Sequence, residues 1–176
     1  MAIRTNDPDS HQKSLELGLL DMVVDAEPRM HGNFTSWVLY EDRFNFYGKG
    51  FSSIELTPES AKDLTLIYCP IAFDHSNRTI LQHLEEANYF FKEKIELDSF
   101  TSVATFAKTG IGLAVLPQRL AEVHSARKEL SKVSVKGFSP KGFGTHSICV
   151  TVIESQADRQ RIKLLVRMLR DWFKTS

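Results

Sequence analysis

Neither charge dominates this chain: lysine plus arginine number 22 in 176 residues, and aspartate plus glutamate also number 22. That balance argues against the overall basic surplus with which nucleic-acid binders neutralise phosphates. Cysteine is scarce. Cys69 and Cys149 lie far apart, with no Cys-x-x-Cys and no Cys/His cluster, and read as two reduced, buried thiols. No apolar run approaches the roughly 20 residues of a membrane span. The first 25 residues show neither the basic start nor the apolar stretch of a secretory signal, so the expected location is the cytoplasm. Gly-x-Ser-x-Gly, His-Glu-x-x-His and the P-loop are all missing. The six histidines, at 11, 31, 75, 83, 124 and 146, have no metal-ligand spacing. No cofactor, metal or catalytic residue is expected.

What is present is a core-building composition, 42% apolar and 25% charged, on a length that suits one domain or two small lobes. The most informative stretch is Asp98–Pro117, DSFTSVATFAKTGIGLAVLP. Asp98 or Ser99 can cap a helix by accepting from first-turn amides. Phe100, Val103, Ala104 and Ala107 follow on one face, and Gly110 stops the helix. Ile111–Leu116 is then an apolar run of the kind buried on both faces of a parallel sheet.

Elsewhere the pattern predicts strands over Ile3–Thr5, Leu19–Val24, Trp37–Tyr40, Arg43–Tyr47 and Leu64–Ala72, the last interrupted by Pro70. Further strands are expected at Lys94–Leu97, Lys132–Val135 and Ser147–Ile153. Helices are expected over Ser10–Leu17 (capped by Asp9 or Ser10), from Thr57-Pro58-Glu59, and over Asn77–Phe91 with Asp74-His75-Ser76 as its cap. A helix is also expected over Gln118–Leu130. At the end of the chain, Ile162, Leu165, Val166, Leu169, Trp172 and Phe173 line one face of an amphipathic helix. The five basic residues Arg159, Arg161, Lys163, Arg167 and Arg170 read as its solvated side. Alternating strands and helices predict an α/β class with largely parallel sheets.

Four segments, in order, resemble the effector-binding domain of LysR-type transcriptional regulators: LELGLLDMVV (Leu15–Val24), LYEDRFNFYG (Leu39–Gly48), LTLIYCPIAFDHSNRT (Leu64–Thr79) and SFTSVATFAKTGIGLAVLP (Ser99–Pro117). The resemblance implies a two-lobed, periplasmic-binding-protein-like (type 2) α/β fold with two crossover strands, near Arg43–Tyr47 and His146–Val150. Lobe I would comprise residues 1–44 and 146–176, and lobe II residues 45–145. The chain begins at what resembles the second strand of lobe I. The expectation is therefore an incomplete lobe I, a chain truncated relative to the family and without its helix-turn-helix, and an exposed sheet edge that invites abnormal association.

The same resemblance implies a small-molecule effector, such as an organic acid, held in the inter-lobe cleft. It also implies a homodimer, and contact with DNA only through a helix-turn-helix domain. Three strand-to-helix junctions suit such a ligand, since helix N-termini point exposed amides outward at the carboxyl ends of strands. They supply the candidate contacts Asp7 and Ser10, then Tyr68, Cys69, Pro70, Asp74, His75 and Ser76, and finally Ser99, Phe100 and Thr101. Each has a plainer alternative. The serines can be helix caps, Tyr68 can fill the core, His75 can face solvent, and Asp7 can stabilise a helix dipole. Two other functions fit the same fold: a solute-binding protein serving a transporter, and a small enzyme using Cys69 and His75 as nucleophile and base.

Overall fold

The computed structural model describes residues 8–26, 32–51, 55–70 and 78–175. Along the chain the elements are α1 (Pro8–Glu16), β1 (Val23–Ala26), β2 (Phe34–Gly48), β3 (Glu55–Leu56), α2 (Pro58–Ala61), β4 (Thr65–Tyr68), α3 (Ile80–Glu86) and β5 (Glu93–Glu96). They continue as α4 (Phe100–Ala107), β6 (Leu113–Pro117), α5 (Gln118–Ala126), β7 (Ser131–Val135), β8 (Phe143–Ile153), a 3-10 turn at Glu154–Gln156, and α6 (Gln160–Thr175). The chain divides into two compact units. One runs up to Glu41 and resumes at Ser147; the other is Asp42–His146. The strands β2 and β8 each contribute residues to both.

In the first unit β1 pairs antiparallel with β8, Val23 opposite Thr151 and Ala26 opposite Ile148. Its core gathers Leu39, Val150 and Val152 from strands and Ile162 and Val166 from α6, with Leu169 and Phe173 packed against them. Burying each such side chain contributes about 1.5–3 kcal/mol. Two residues expected on this apolar face are exposed instead: Leu165 at 41% and Trp172 at 59%. The buried stripe is narrower than the sequence pattern, running through Ile162, Val166, Leu169 and Phe173. The basic side is partly tied down, with Arg161 3.1 Å from Asp21 and Lys163 2.8 Å from Asp158.

In the second unit β4 lies parallel to both β5 and β6, while β2 runs antiparallel to β6 and to β7; β7 in turn pairs parallel with the short β3. The sheet is therefore mixed, not largely parallel as expected. Alternation sorts its side chains into two cores. Leu66 and Tyr68 of β4 and Leu113 and Val115 of β6 face one core, where Ile80 and Leu84 of α3 also pack. Ile67, Cys69, Ala114 and Leu116 face the other, against Val103, Ala104 and Ala107 of α4. Burial on both faces is why these strands read as unbroken apolar runs.

Several expected boundaries move. The two strands expected around Glu41-Asp42 are one strand of fifteen residues, β2. Asp42 is buried and accepts from the Arg43 amide at 2.8 Å, and the strand runs unbroken through the acidic pair. Leu19 is exposed, and the first strand starts only at Val23, where β8 offers partners. Ile111 is likewise exposed, and β6 begins at Leu113. The cap of α3 is Thr79, whose hydroxyl accepts from the Gln82 amide while the Gln82 side chain accepts from the Thr79 amide. Asn88, at φ 61°, ends that helix well short of Phe91, and α5 stops at Ala126 ahead of Lys128 at φ 58°. The helix α1 begins at Pro8, ahead of its expected cap. The expected strand at Ile3–Thr5 lies outside the described residues.

Candidate functional site

The parallel strands β4 and β5 end side by side, with Tyr68 in register with Glu96 and the Leu97 amide donating to the Tyr68 carbonyl at 3.0 Å. The chain leaves β5 and enters α4 within three residues. The carboxyl end of β4 (Tyr68, Cys69, Pro70) and the first turn of α4 (Ser99, Phe100, Thr101) thus come together in the second unit. Six of the eleven sequence-derived candidates sit at this one rim.

Their roles differ. Tyr68 is 5% exposed and its hydroxyl donates to a Glu96 carboxylate oxygen at 2.8 Å. Burial, followed by the Glu96 hydrogen bond and charge, pushes the phenol up to about 12. It is a fixed neutral donor in the core, as its plainer reading held. Cys69, 1% exposed, lies in the core that faces α4 and is out of reach of solvent. Pro70 is exposed. Ser99 is the N-cap of α4, accepting from the Ser102 amide at 3.2 Å and lying 2.9 Å from the Ser102 hydroxyl. Phe100 packs against both cores, its ring 5.5 Å from that of Phe44. Thr101 is exposed, and its carbonyl accepts from the Thr105 hydroxyl at 2.9 Å.

With Ser99 engaged at Ser102, the amides of Phe100 and Thr101 have no partner among the described residues. This helix start therefore offers donors and a positive dipole end to an anion. Asp7, Asp74, His75 and Ser76 lie outside the described residues. Ser10 falls inside the first turn of α1, in the other unit.

Sequence reasoning missed Glu96, which alternation and register place opposite Tyr68. It also missed a cavity of about 260 Å³ in the second unit, whose lining includes Asn45, Phe46, Lys132, Phe138 and Phe143. The signal for the latter was the doubled Lys-Gly-Phe at 136–138 and 141–143. Among the described residues no group of three or more His, Cys, Asp or Glu could hold a metal ion. Nor is any helix there long and apolar enough to cross a membrane.

This mixed α/β arrangement is the type 2 periplasmic-binding-protein-like fold, shared with several solved regulatory domains. A LysR family transcriptional regulator from Pseudomonas aeruginosa superposes with a TM-score of 0.74 at 14% identity, over 97% of this chain and 60% of that one. The regulatory domain of HypT from Salmonella typhimurium, in apo form, gives 0.70 at 16% identity, over 99% and 83%. The regulatory domain of CcmR from Synechocystis, in complex with 2-PG, gives 0.65 at 13% identity, over 92% and 78%. The chain thus spans about three-fifths of the Pseudomonas regulator. A comparison with curated proteins found no match. The sequence itself matches the LysR substrate binding domain over residues 1–174, and the chain belongs to that family.

Proposed function

We propose that this chain is the effector-sensing part of a LysR-type transcriptional regulator, working in the cytoplasm and binding without chemical conversion of its ligand. The observation that carries this reading is the rim where Tyr68–Pro70 meets the open first turn of α4. The ligand it favours is a small organic acid, whose carboxylate would accept from the Phe100 and Thr101 amides and lie at the dipole end of the helix. In the family reading, such a ligand sits between two lobes, residues 1–44 with 146–176 and residues 45–145. It prefers one lobe and dimer arrangement, and so shifts a pre-existing equilibrium. The preference reaches DNA through a helix-turn-helix domain as a coupling of typically about 1–3 kcal/mol.

A thermal-shift screen with small aliphatic and aromatic acids tests the reading. A ligand of the native state raises the melting temperature as its concentration climbs past its dissociation constant. The expected result is a concentration-dependent rise for at least one acid, lost when exposed Thr101 is replaced by tryptophan to cover the helix start. An acid that stabilises the Thr101→Trp variant equally well would place its site elsewhere. Turnover of any screened compound would end the reading as a pure sensor.

A further inference from the structure

Beyond Phe46 and Val133, β2 and β7 part company. Their register pairs Gly48 with Ser131, Tyr47 with Lys132 and Phe46 with Val133, but the next pair, Asn45 with Ser134, is not made. The strand β7 turns instead to β3, where Ser134 and Val135 find partners in Glu55 and Leu56. The loop from Lys136 to Gly142 then leads to β8, which is also a neighbour of β2. A gap opens where β2 changes partner, and the 260 Å³ cavity fills it. Every residue lining it belongs to the second unit.

Its floor and rim differ in chemistry. Buried Phe46, Val133 and Phe143 form an apolar floor with half-buried Phe138 beside it. The three rings stand 4.9–5.2 Å apart, Phe46 stacked on Phe143 and Phe138 edge-on to both. Two hydroxyls, Ser134 and Ser139, and the Lys132 ammonium line the exposed rim. The ammonium's recorded partner among the described residues is a neutral one, the Pro140 carbonyl at 2.6 Å.

Asn45 adds the second, independent observation. It is 4% exposed, lines the cavity, and its side-chain Nδ2 is a buried donor with no partner among the described residues. Gly142 sits directly over it: a Cβ there would lie 2.8 Å from Nδ2 and 2.6 Å from the Phe44 carbonyl. Buried polar groups in folded proteins are almost always satisfied, and an orphan beside a cavity points to something that enters it.

We infer that the gap between β2 and β7 is an accessory ligand site for a small aromatic carboxylate. The ring would stack on the Phe46–Phe138–Phe143 floor, and the carboxylate would lie against the Lys132 ammonium and the rim hydroxyls. Small size follows from the volume, below the roughly 300–1,000 Å³ of drug-sized pockets. Anionic character follows from an ammonium with no carboxylate on it among the described residues. The inference stands apart from the Tyr68–Thr101 rim and does not rest on it.

The test is titration of the chain with 4-fluorobenzoate, followed by fluorine resonance and by backbone amide shifts. The expected result is saturable binding, with the largest shifts at Lys132–Ser139 and not at Leu97–Thr101. Lys132→Met should weaken 4-fluorobenzoate by about threefold or more while leaving neutral 4-fluorobenzyl alcohol unchanged, as loss of one partly exposed charge contact implies. Ser134→Trp, at an exposed strand position, should close the gap and abolish binding of both. No saturable shift at millimolar probe, shifts confined to Leu97–Thr101, or binding indifferent to both substitutions would overturn the inference. So would a buried water at Asn45 Nδ2 that the probe never displaces.

Discussion

Gly112 lies so close to Thr65 that a Cβ on it would meet the Thr65 carbonyl oxygen at 2.3 Å. The obstacle is backbone of β4, which cannot swing aside. Gly110, two residues earlier, is different: its φ is +83° and a Cβ there would meet nothing within 4 Å. One glycine of the Gly-x-Gly pair is required for space and the other for handedness. Gly112→Ala should therefore cost about 3 kcal/mol, at the upper end for overpacking. Gly110→Ala should cost only about 1–2 kcal/mol, the penalty for a left-handed alanine. Urea unfolding of the two variants checks the order, and equal losses would mean that β4 can yield at Thr65.

Tyr68 gives a prediction at alkaline pH. An unfolded phenol ionises at 10.0, whereas folded Tyr68 is pushed up to about 12 by burial and by Glu96. Between those values the folded state keeps a proton that the unfolded state has lost, so raising pH favours unfolding. The Tyr68 contribution is complete below pH 10 and disappears as pH climbs toward 12. Tyr68→Phe should lower stability by about 0.5–1.5 kcal/mol at neutral pH. It should also flatten the alkaline limb of the melting-temperature profile, and a limb of unchanged slope would assign that limb to other groups.

Glu129 works at the other end of the scale. The His124 hydrogen bond, at 2.8 Å, and the Lys108 ammonium, at 3.4 Å, hold its carboxyl below the ordinary 4.5. Its folded form resists protonation, so the contribution is present above pH 4.5 and is lost as pH falls below it. Melting curves of Glu129→Gln and of the unaltered chain should differ at neutral pH and converge in acid. Curves that stay parallel down to pH 3 would remove Glu129 from the acid response.

Two of the capped helices of the second unit, α3 and α4, make a matched pair. Ser99→Ala and Thr79→Ala each remove a hydroxyl that accepts from a first-turn amide, so each should cost about 1 kcal/mol. Replacement by aspartate should restore most of that loss. Denaturant midpoints of the four variants decide it, and failure of aspartate to rescue would show that the hydroxyls act through other contacts.

How much of this was legible in the sequence depended on whether the deciding interaction was local. The stretch from Ser99 to Pro117 read as cap, helix, glycine stop and two-faced strand, with only the strand start placed two residues early, because each signal acts within a turn or within the strand itself. The fifteen-residue β2 did not. Glu41-Asp42 looks like a break, and only its pairing partners, from β6, β7 and β8, hold it extended. The end of α3 was misjudged for a similar reason. Asn88 takes a left-handed turn that directs Tyr89 into the core, where its hydroxyl donates to the Lys136 carbonyl at 2.7 Å. At the candidate rim, Ser99 and Tyr68 were named as residues without their partners, since Ser102 and Glu96 become meaningful only once register is known. The gap beside Asn45 left only the repeated Lys-Gly-Phe at 136–138 and 141–143 as a trace, because a missing strand pair leaves no mark in composition or periodicity.

The last strand on the β4 side of the sheet, β5, has the sequence Glu93-Lys94-Ile95-Glu96, with only isoleucine partly covered. A neighbouring molecule that tried to zip onto this flank would have to desolvate alternating charges before gaining any main-chain bonds. Fibrillar growth from this side is therefore disfavoured, and neutralising substitutions at Glu93 and Lys94 would remove that safeguard while leaving the fold intact.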